Sequence, residues 1–200
     1  MTLDNYWYYF QDALPSRFCD DIIAFGNEQV AQTASVEGFQ GNVDNQNDVS
    51  KLYKTRNSSI VWMNELWIWR EIEPYLREAN KAAGWNYDIV SPESFQFTKY
   101  TENQHYSWHQ DAFNKPDKEG LIRKISLTLS LEDGDKYEGG DFEFDLRNDS
   151  ESKPVMMKCA EARKKGTLIF FPSYVWHRVT PVTSGIRYSL VIWNRGLPYR

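Results

Sequence analysis

Apolar residues recur along this chain with two periods, and the change falls near residue 93. Before it, Phe18, Ile22, Ile23, Phe25 and Val30 follow Pro15-Ser16 at three- and four-residue steps, which predicts an amphipathic helix opening at that pair. A second helix is predicted from about Met63 to Ala83, stopped by Gly84, with Pro74 kinking it or breaking it in two. The aromatic run 5–11 reads as a first strand. The Asn/Asp/Gly-rich residues 40–50 read as a mobile loop.

After residue 93 the period is two. SFQFTKY, RKISLTLSL, DFEFDL, TLIFFPS and RYSLVIW are short, rich in β-branched or aromatic residues, and bounded by turn signals. Strands that follow helices, with no helix between them, point to an antiparallel sandwich or jelly roll rather than a parallel α/β sheet. In Ile125–Leu131 the aliphatic residues share one face, and Ser126, Thr128 and Ser130 share the other. The aliphatic face is expected to pack under helices, and the hydroxyl face to wall a polar cavity. Residues 1–200 read as one domain, with helical support and first strands over 1–90 and a β core over 91–195.

Composition narrows the classes. A net charge of −5 argues against a protein built to grip nucleic-acid phosphates. No window approaches eighteen apolar residues, so no membrane span is expected. Met1–Tyr6 lacks the basic start and apolar run of a secretion signal. Cys19 and Cys159 form no CxxC and read as reduced thiols. A cytoplasmic protein is expected.

The candidate chemistry lies in three histidines, His105, His109 and His177. On an extended backbone His109 and Asp111 project to one side and can share a metal. His177, beyond the strand Gly166–Pro172, can complete the set. Two neutral nitrogens and one carboxylate, with open positions left over, suit oxygen-activating ferrous iron, although zinc hydrolases also use such a set. Arg187 opens an apolar strand ten residues after His177. A guanidinium on an inner face needs a partner, which the carboxylate of a bound dicarboxylate cosubstrate would supply.

The segment 166–193, together with His109-Gln110-Asp111 and Gly139-Gly140-Asp141-Phe142, resembles the prolyl-hydroxylase-like branch of the 2-oxoglutarate/iron(II) dioxygenases. The match runs from about Ser94 to Trp193, and the motif set is specific in combination. The resemblance implies a double-stranded β-helix, mainly β in an α+β chain, with the N-terminal helices packed on one sheet. It implies Fe(II), 2-oxoglutarate and O₂ as cofactor and cosubstrates, with ascorbate as a supporting reductant. It assigns His109, Asp111 and His177 to iron and Arg187 to the far carboxylate of 2-oxoglutarate. Tyr100 is expected to hydrogen-bond that cosubstrate, and Val191 and Trp193 to form the back wall of the pocket. Where several relatives carry a tyrosine on the second strand this chain has Ser130, and Thr128 is expected to share its role. Arg123 is expected at the cavity mouth as a substrate contact, and the loop 40–56 as a segment that folds over a peptide.

The implied reaction is oxidative decarboxylation of 2-oxoglutarate coupled to hydroxylation of a C–H bond, with a prolyl residue of a protein or peptide as first candidate. The alternatives are a free amino acid or small metabolite as substrate, or an inactive jelly-roll binding module. Fold does not fix substrate. His105 reads as a loop histidine without a metal role, and Arg163-Lys164-Lys165 as a solvated turn. The oligomeric state is left open.

Overall fold

The structure, a computed structural model, describes residues 5–34, 55–113, 115–146 and 155–199. In chain order the first elements are β1 (Tyr8–Phe10), α1 (Ser16–Glu28), β2 (Gln32–Thr33), β3 (Arg56–Asn57), β4 (Ser59–Met63) and α2 (Leu66–Ala82). There follow β5 (Ser91–Pro92), β6 (Phe95–Tyr100), β7 (His105–His109), β8 (Ile122–Ser130), β9 (Tyr137–Gly139), β10 (Phe142–Asp145) and β11 (Met156–Lys158). A 3₁₀ turn at Ala160–Arg163 leads to β12 (Leu168–Pro172), β13 (Trp176–Val179), β14 (Val182–Gly185) and β15 (Arg187–Gly196).

The major sheet runs β1-β12-β8-β15-β6-β4-β2, with β5 added to β15; the minor sheet runs β11-β10-β13-β7-β3. Every pairing is antiparallel. The fold is a jelly roll with two helices against the major sheet, as the sequence pattern suggested. Ile125, Leu127 and Leu129 join Ile22, Ile68, Ile72 and Leu76 in the core between helices and sheet. Phe142, Phe144, Ile169, Phe171 and Val179 fill the space between the two sheets.

Three expectations change. The helix α2 is continuous through Pro74. Ile68 and Ile72 on one side of the proline and Leu76 and Ala79 on the other are all buried, so packing holds the helix across the missing hydrogen bond. In α1 the buried stripe is Cys19, Ile22 and Gly26, while Val30 lies beyond the helix and is 90% exposed. Gly26 belongs to that stripe because a Cβ there would meet the Phe97 ring at 2.7 Å. Of the loop expected over 40–56, residues up to 54 lie outside the described residues, and Arg56 already belongs to β3.

Gly166 joins the N-terminal segment to the core. Its carbonyl accepts the N–H groups of Ala13 (3.0 Å) and Leu14 (3.1 Å), and its own N–H donates to Ser130 O at 2.8 Å. Its φ is +78°, and a Cβ would overlap the Leu14 carbonyl oxygen. Left-handed strain and overpacking each cost about 1–3 kcal/mol, so Gly166→Ala is expected to lose about 3 kcal/mol. At this chain length that lowers the thermal midpoint by roughly 6–12 °C. An unchanged midpoint in a melting experiment would show that the Leu14 backbone yields freely.

The two cysteines are thiols buried in different clusters, Cys19 on the inner face of α1 and Cys159 between the sheets. Burial pushes Cys19 up to about 11 and Cys159 up to about 12. Raised pKa values of this kind favour the folded state below the ordinary thiol value, and that contribution is lost as pH rises through the folded values. The native protein is therefore expected to be inert to thiol reagents at pH 8 and to lose stability above about pH 9. Rapid labelling of folded protein by a disulfide reagent would contradict this.

Candidate metal and cosubstrate site

The site begins with a strand register. β7 and β13 are antiparallel neighbours, and His109 is directly opposite His177. Opposed residues on one face bring their side chains together, and here the imidazole centroids are 4.1 Å apart. Asp111 lies just past the end of β7 rather than on it. The Ser173 carbonyl accepts the N–H groups of both Asp111 (2.8 Å) and Ala112 (2.9 Å), which turns the carboxylate back toward the imidazoles. His109 Nε2 is 3.7 Å from Asp111 Oδ1, and His177 Nε2 is 3.5 Å from Asp111 Oδ2. One ligand atom from each of the three residues lies within 4.8 Å of the others, a set that can surround a single ion.

Hydrogen bonds select the atoms that face the ion. His109 Nδ1 is 2.8 Å from Ser107 O, and His177 Nδ1 is 2.9 Å from Val175 O. A carbonyl only accepts, so Nδ1 is the donor in both rings and Nε2 is the atom turned toward Asp111. Burial, reinforced by the neighbouring His177, pushes His109 down to about 3, so the imidazole is neutral and able to ligate. Burial would raise Asp111, but the two imidazoles, Arg123 and a hydrogen bond from Ser126 overcome it and hold the carboxyl below its usual range. Tyr106 lies face to face with His109 at 3.5 Å between centroids and is pushed up to about 12, chiefly by burial.

Asp111 Oδ2 is buried with no hydrogen-bond partner, as are Gln96 Oε1 and Trp193 Nε1, and all three residues line one narrow cavity. Unpartnered buried polar atoms are rare in native proteins, and three around one cavity fit a polar occupant. The donor set beside Asp111 suits a divalent cation.

Arg187 is 2% exposed and lines the same cavity. It opens β15 opposite Tyr100, whose ring centroid is 5.4 Å from the guanidinium carbon, and it donates to Ser189 Oγ at 3.1 Å. Among the described residues no carboxylate lies within ion-pair distance of it. A buried guanidinium in that condition suits a ligand carboxylate. Its stem rests on the turn at Gly139 and Gly140, where a Cβ at Gly140 would meet Arg187 Cδ at 3.1 Å. That turn is tied down by Arg163, which donates to the carbonyls of Gly134, Gly139 and Tyr137 and to Asp141. Arg163 is thus a structural cross-link rather than part of a solvated turn, and Lys165 is buried in an ion pair with Asp20.

The cavity brings together His109, Asp111, His177, Arg187, Tyr100, Thr128, Val191 and Trp193 from the expected residues. Ser130 does not reach it: its hydroxyl donates to Ala162 O at 2.6 Å. Arg123 is not a free cation at the mouth. Its fork donates to Glu93 at 2.7 and 2.6 Å, and it stacks between Phe113 (4.1 Å) and Trp193 (4.0 Å). His105 begins β7 instead of lying in a loop, and it stands outside the three-residue cluster. Gln96, Tyr106 and Ser189 were missed. Ser189, two residues after Arg187 on one strand, had a signal in the period of two.

The sequence model of the 2OG-Fe(II) oxygenase superfamily matches residues 95–195. A PKHD-type hydroxylase of Teredinibacter turnerae is 34% identical over 104 residues, 51% of this chain and 42% of that protein. One of Synechococcus is 35% identical over 126 residues, 59% of this chain and 52% of that protein. The chain thus spans about half the length of the curated relatives it matches. The 2OG complex of the viral collagen prolyl hydroxylase of Paramecium bursaria Chlorella virus-1 superposes with a TM-score of 0.65 at 21% identity, covering 97% of this chain and 98% of that one. A Pseudomonas putida prolyl-4-hydroxylase superposes at 0.69 and 20%, covering 98% and 95%. A Trichoplax adhaerens prolyl hydroxylase bound to a peptide fragment of hypoxia inducible factor superposes at 0.64 and 17%, covering 96% and 84%. Fold, site geometry and the match over half the chain agree: this protein belongs to the 2OG-Fe(II) oxygenase superfamily.

Proposed function

We propose that this chain is a 2-oxoglutarate- and O₂-dependent iron(II) hydroxylase whose prime substrate is a prolyl residue in a protein or peptide. The observation that carries the enzyme reading is the unpartnered Asp111 Oδ2, 3.5 Å from His177 Nε2, in the cavity that Arg187 lines. The structural neighbours that act on prolyl residues favour proline.

His109, Asp111 and His177 would hold the iron through two Nε2 atoms and the carboxylate. Arg187, backed by Tyr100 and Ser189, would bind the distal carboxylate of 2-oxoglutarate. When bound, iron with 2-oxoglutarate and O₂ supplies the oxidising power to hydroxylate a C–H bond, with CO₂ and succinate released. The chain's own contribution is position and dryness. Phe142, Phe171, Val179 and Val191 wall the cavity against water, and the strand register fixes the ligands. No described helix is long and apolar enough to cross a membrane. The two buried thiols suit a cytoplasmic setting.

The test is succinate release from 2-oxoglutarate by iron-loaded protein, with mass spectrometry of proline-containing peptides for a +16 Da product. Folded protein that binds no iron would end the reading. Turnover on free proline but on no peptide would favour the small-molecule alternative.

A further inference from the structure

Beside the catalytic cavity lies a second one of about 710 Å³, which the reading above does not use. It is lined by Trp62, Leu66, Trp69 and Phe113, with Glu93 and Asp117 at its polar side. Its volume is of the order of a ligand site, about 300–1,000 Å³, and it is an open groove rather than an enclosed pocket. Trp62 is 45% and Leu66 67% exposed, so large apolar surface stands open here.

The two cavities adjoin across a shared wall. Trp62 on β4 is the cross-strand partner of Gln96, which lines the catalytic cavity. The Trp62 and Trp193 rings are 6.0 Å apart, and Trp193 is a wall of the catalytic cavity. Arg123 bridges the same boundary, stacked on Phe113 on one side and Trp193 on the other. A polypeptide advances about 3.3–3.6 Å per residue, so a chain entering past Trp193 reaches Trp62 within one or two residues.

The ionic groups of the second cavity are already matched. Glu93 is held by Arg123, and Asp117 by Arg195 at 2.7 Å, which also pairs with Glu119 at 3.2 Å. Two guanidiniums against three carboxylates leave an aromatic surface with a small negative excess. Such a surface favours an apolar or basic side chain and disfavours an acidic one.

We propose that this aromatic cavity is a specificity subsite that receives the side chain one or two residues from the oxidised position in the same polypeptide, selecting apolar or basic residues through Trp62. The proposal rests on the peptide-hydroxylase reading. Its test is steady-state hydroxylation of blocked peptides with proline flanked by glycines, in which one position, one or two places from the proline on either side, is Gly, Leu, Trp, Lys or Glu. At one such position Leu or Trp is expected to raise kcat/KM about tenfold over Gly, and Glu to fall below Gly. In Trp62→Ala that preference is expected to shrink to about twofold, with Trp62→Phe restoring much of it and the KM for 2-oxoglutarate unchanged. Leu66→Arg, at an exposed position, is expected to rescue the Glu peptides. Peptides hydroxylated with no dependence on the varied residue, or an equal loss across all peptides in Trp62→Ala, would overturn the subsite alone. Succinate formation with no peptide hydroxylated would overturn the prolyl reading and the subsite with it.

Discussion

Asp111→Ala is expected to bind no stoichiometric iron and to form succinate at least about 100-fold more slowly than the unaltered chain. Loss of a partner that merely orients a ligand already costs about 10–100-fold, and Asp111 contributes a ligand atom. The experiment has a readout that needs no turnover. A ligand at a hundredfold excess over its Kd stabilises the folded state by about 2.7 kcal/mol, or roughly 5–10 °C for a chain of this size. Anaerobic Fe(II), or Mn(II) as a redox-quiet substitute, is expected to raise the melting temperature of the wild type by that order and to leave Asp111→Ala unmoved. The apo variant is expected to fold, because Ala removes a buried charge, one oxygen of which has no hydrogen-bond partner, and frees only the Ser126 hydroxyl, which keeps Ser173 Oγ at 3.0 Å. Metal-dependent stabilisation of equal size in both proteins would show that the ion sits elsewhere.

Arg187→Met separates cosubstrate binding from metal binding. The guanidinium is buried, and among the described residues its polar contacts are Ser189 Oγ and the Tyr100 ring. Truncating one partner of a buried hydrogen-bonded charge pair costs about 2–5 kcal/mol, a weakening of roughly 30- to several-thousand-fold in 2-oxoglutarate affinity. Without cosubstrate the sign reverses. A well-packed apolar chain in place of a guanidinium that lacks a carboxylate is expected to hold or raise the melting temperature. Calorimetry on the Mn(II)-loaded protein without oxygen measures the first effect, and melting of the apo protein the second. Arg187→Lys keeps the charge without the fork and is expected to fall between. Unchanged 2-oxoglutarate affinity in Arg187→Met would remove the cosubstrate role from this residue.

How far the site was legible depends on the distance over which each part is determined. The β core was readable because period-two patterning is local, and Ile125–Leu131 showed its aliphatic and hydroxyl faces directly. His109, Asp111 and His177 were legible because few residue types ligate metals and the chain has three histidines. Ser130 was misjudged for a geometric reason. Period two gives the face of a strand but not how far along it the cavity extends, and the cavity reaches Thr128 while Ser130 is spent on the Ala162 carbonyl. Arg163 was misread, and the Glu93 partner of Arg123 unseen, because these partners stand 22 to 30 residues away, beyond any local pattern. Of the kink or break expected at Pro74, the break does not occur, because burial on both sides holds the helix together. Tyr106 reaches the His109 ring at odd spacing, next to the register shift between His177 and Val179, and irregular pairing leaves no period to read.

The imidazoles take their orientation from backbone carbonyls two residues upstream, Ser107 and Val175, not from acidic side chains. A tridentate face assembled in this way is set by strand geometry before any ion arrives, and no added negative charge sharpens its choice. Nitrogen and oxygen donors bind cobalt, nickel, copper and zinc more tightly than ferrous iron. Discrimination by this chain therefore rests on supply: the cell's pool of exchangeable metals, more than the protein, decides which ion is seated and whether the seated ion can work.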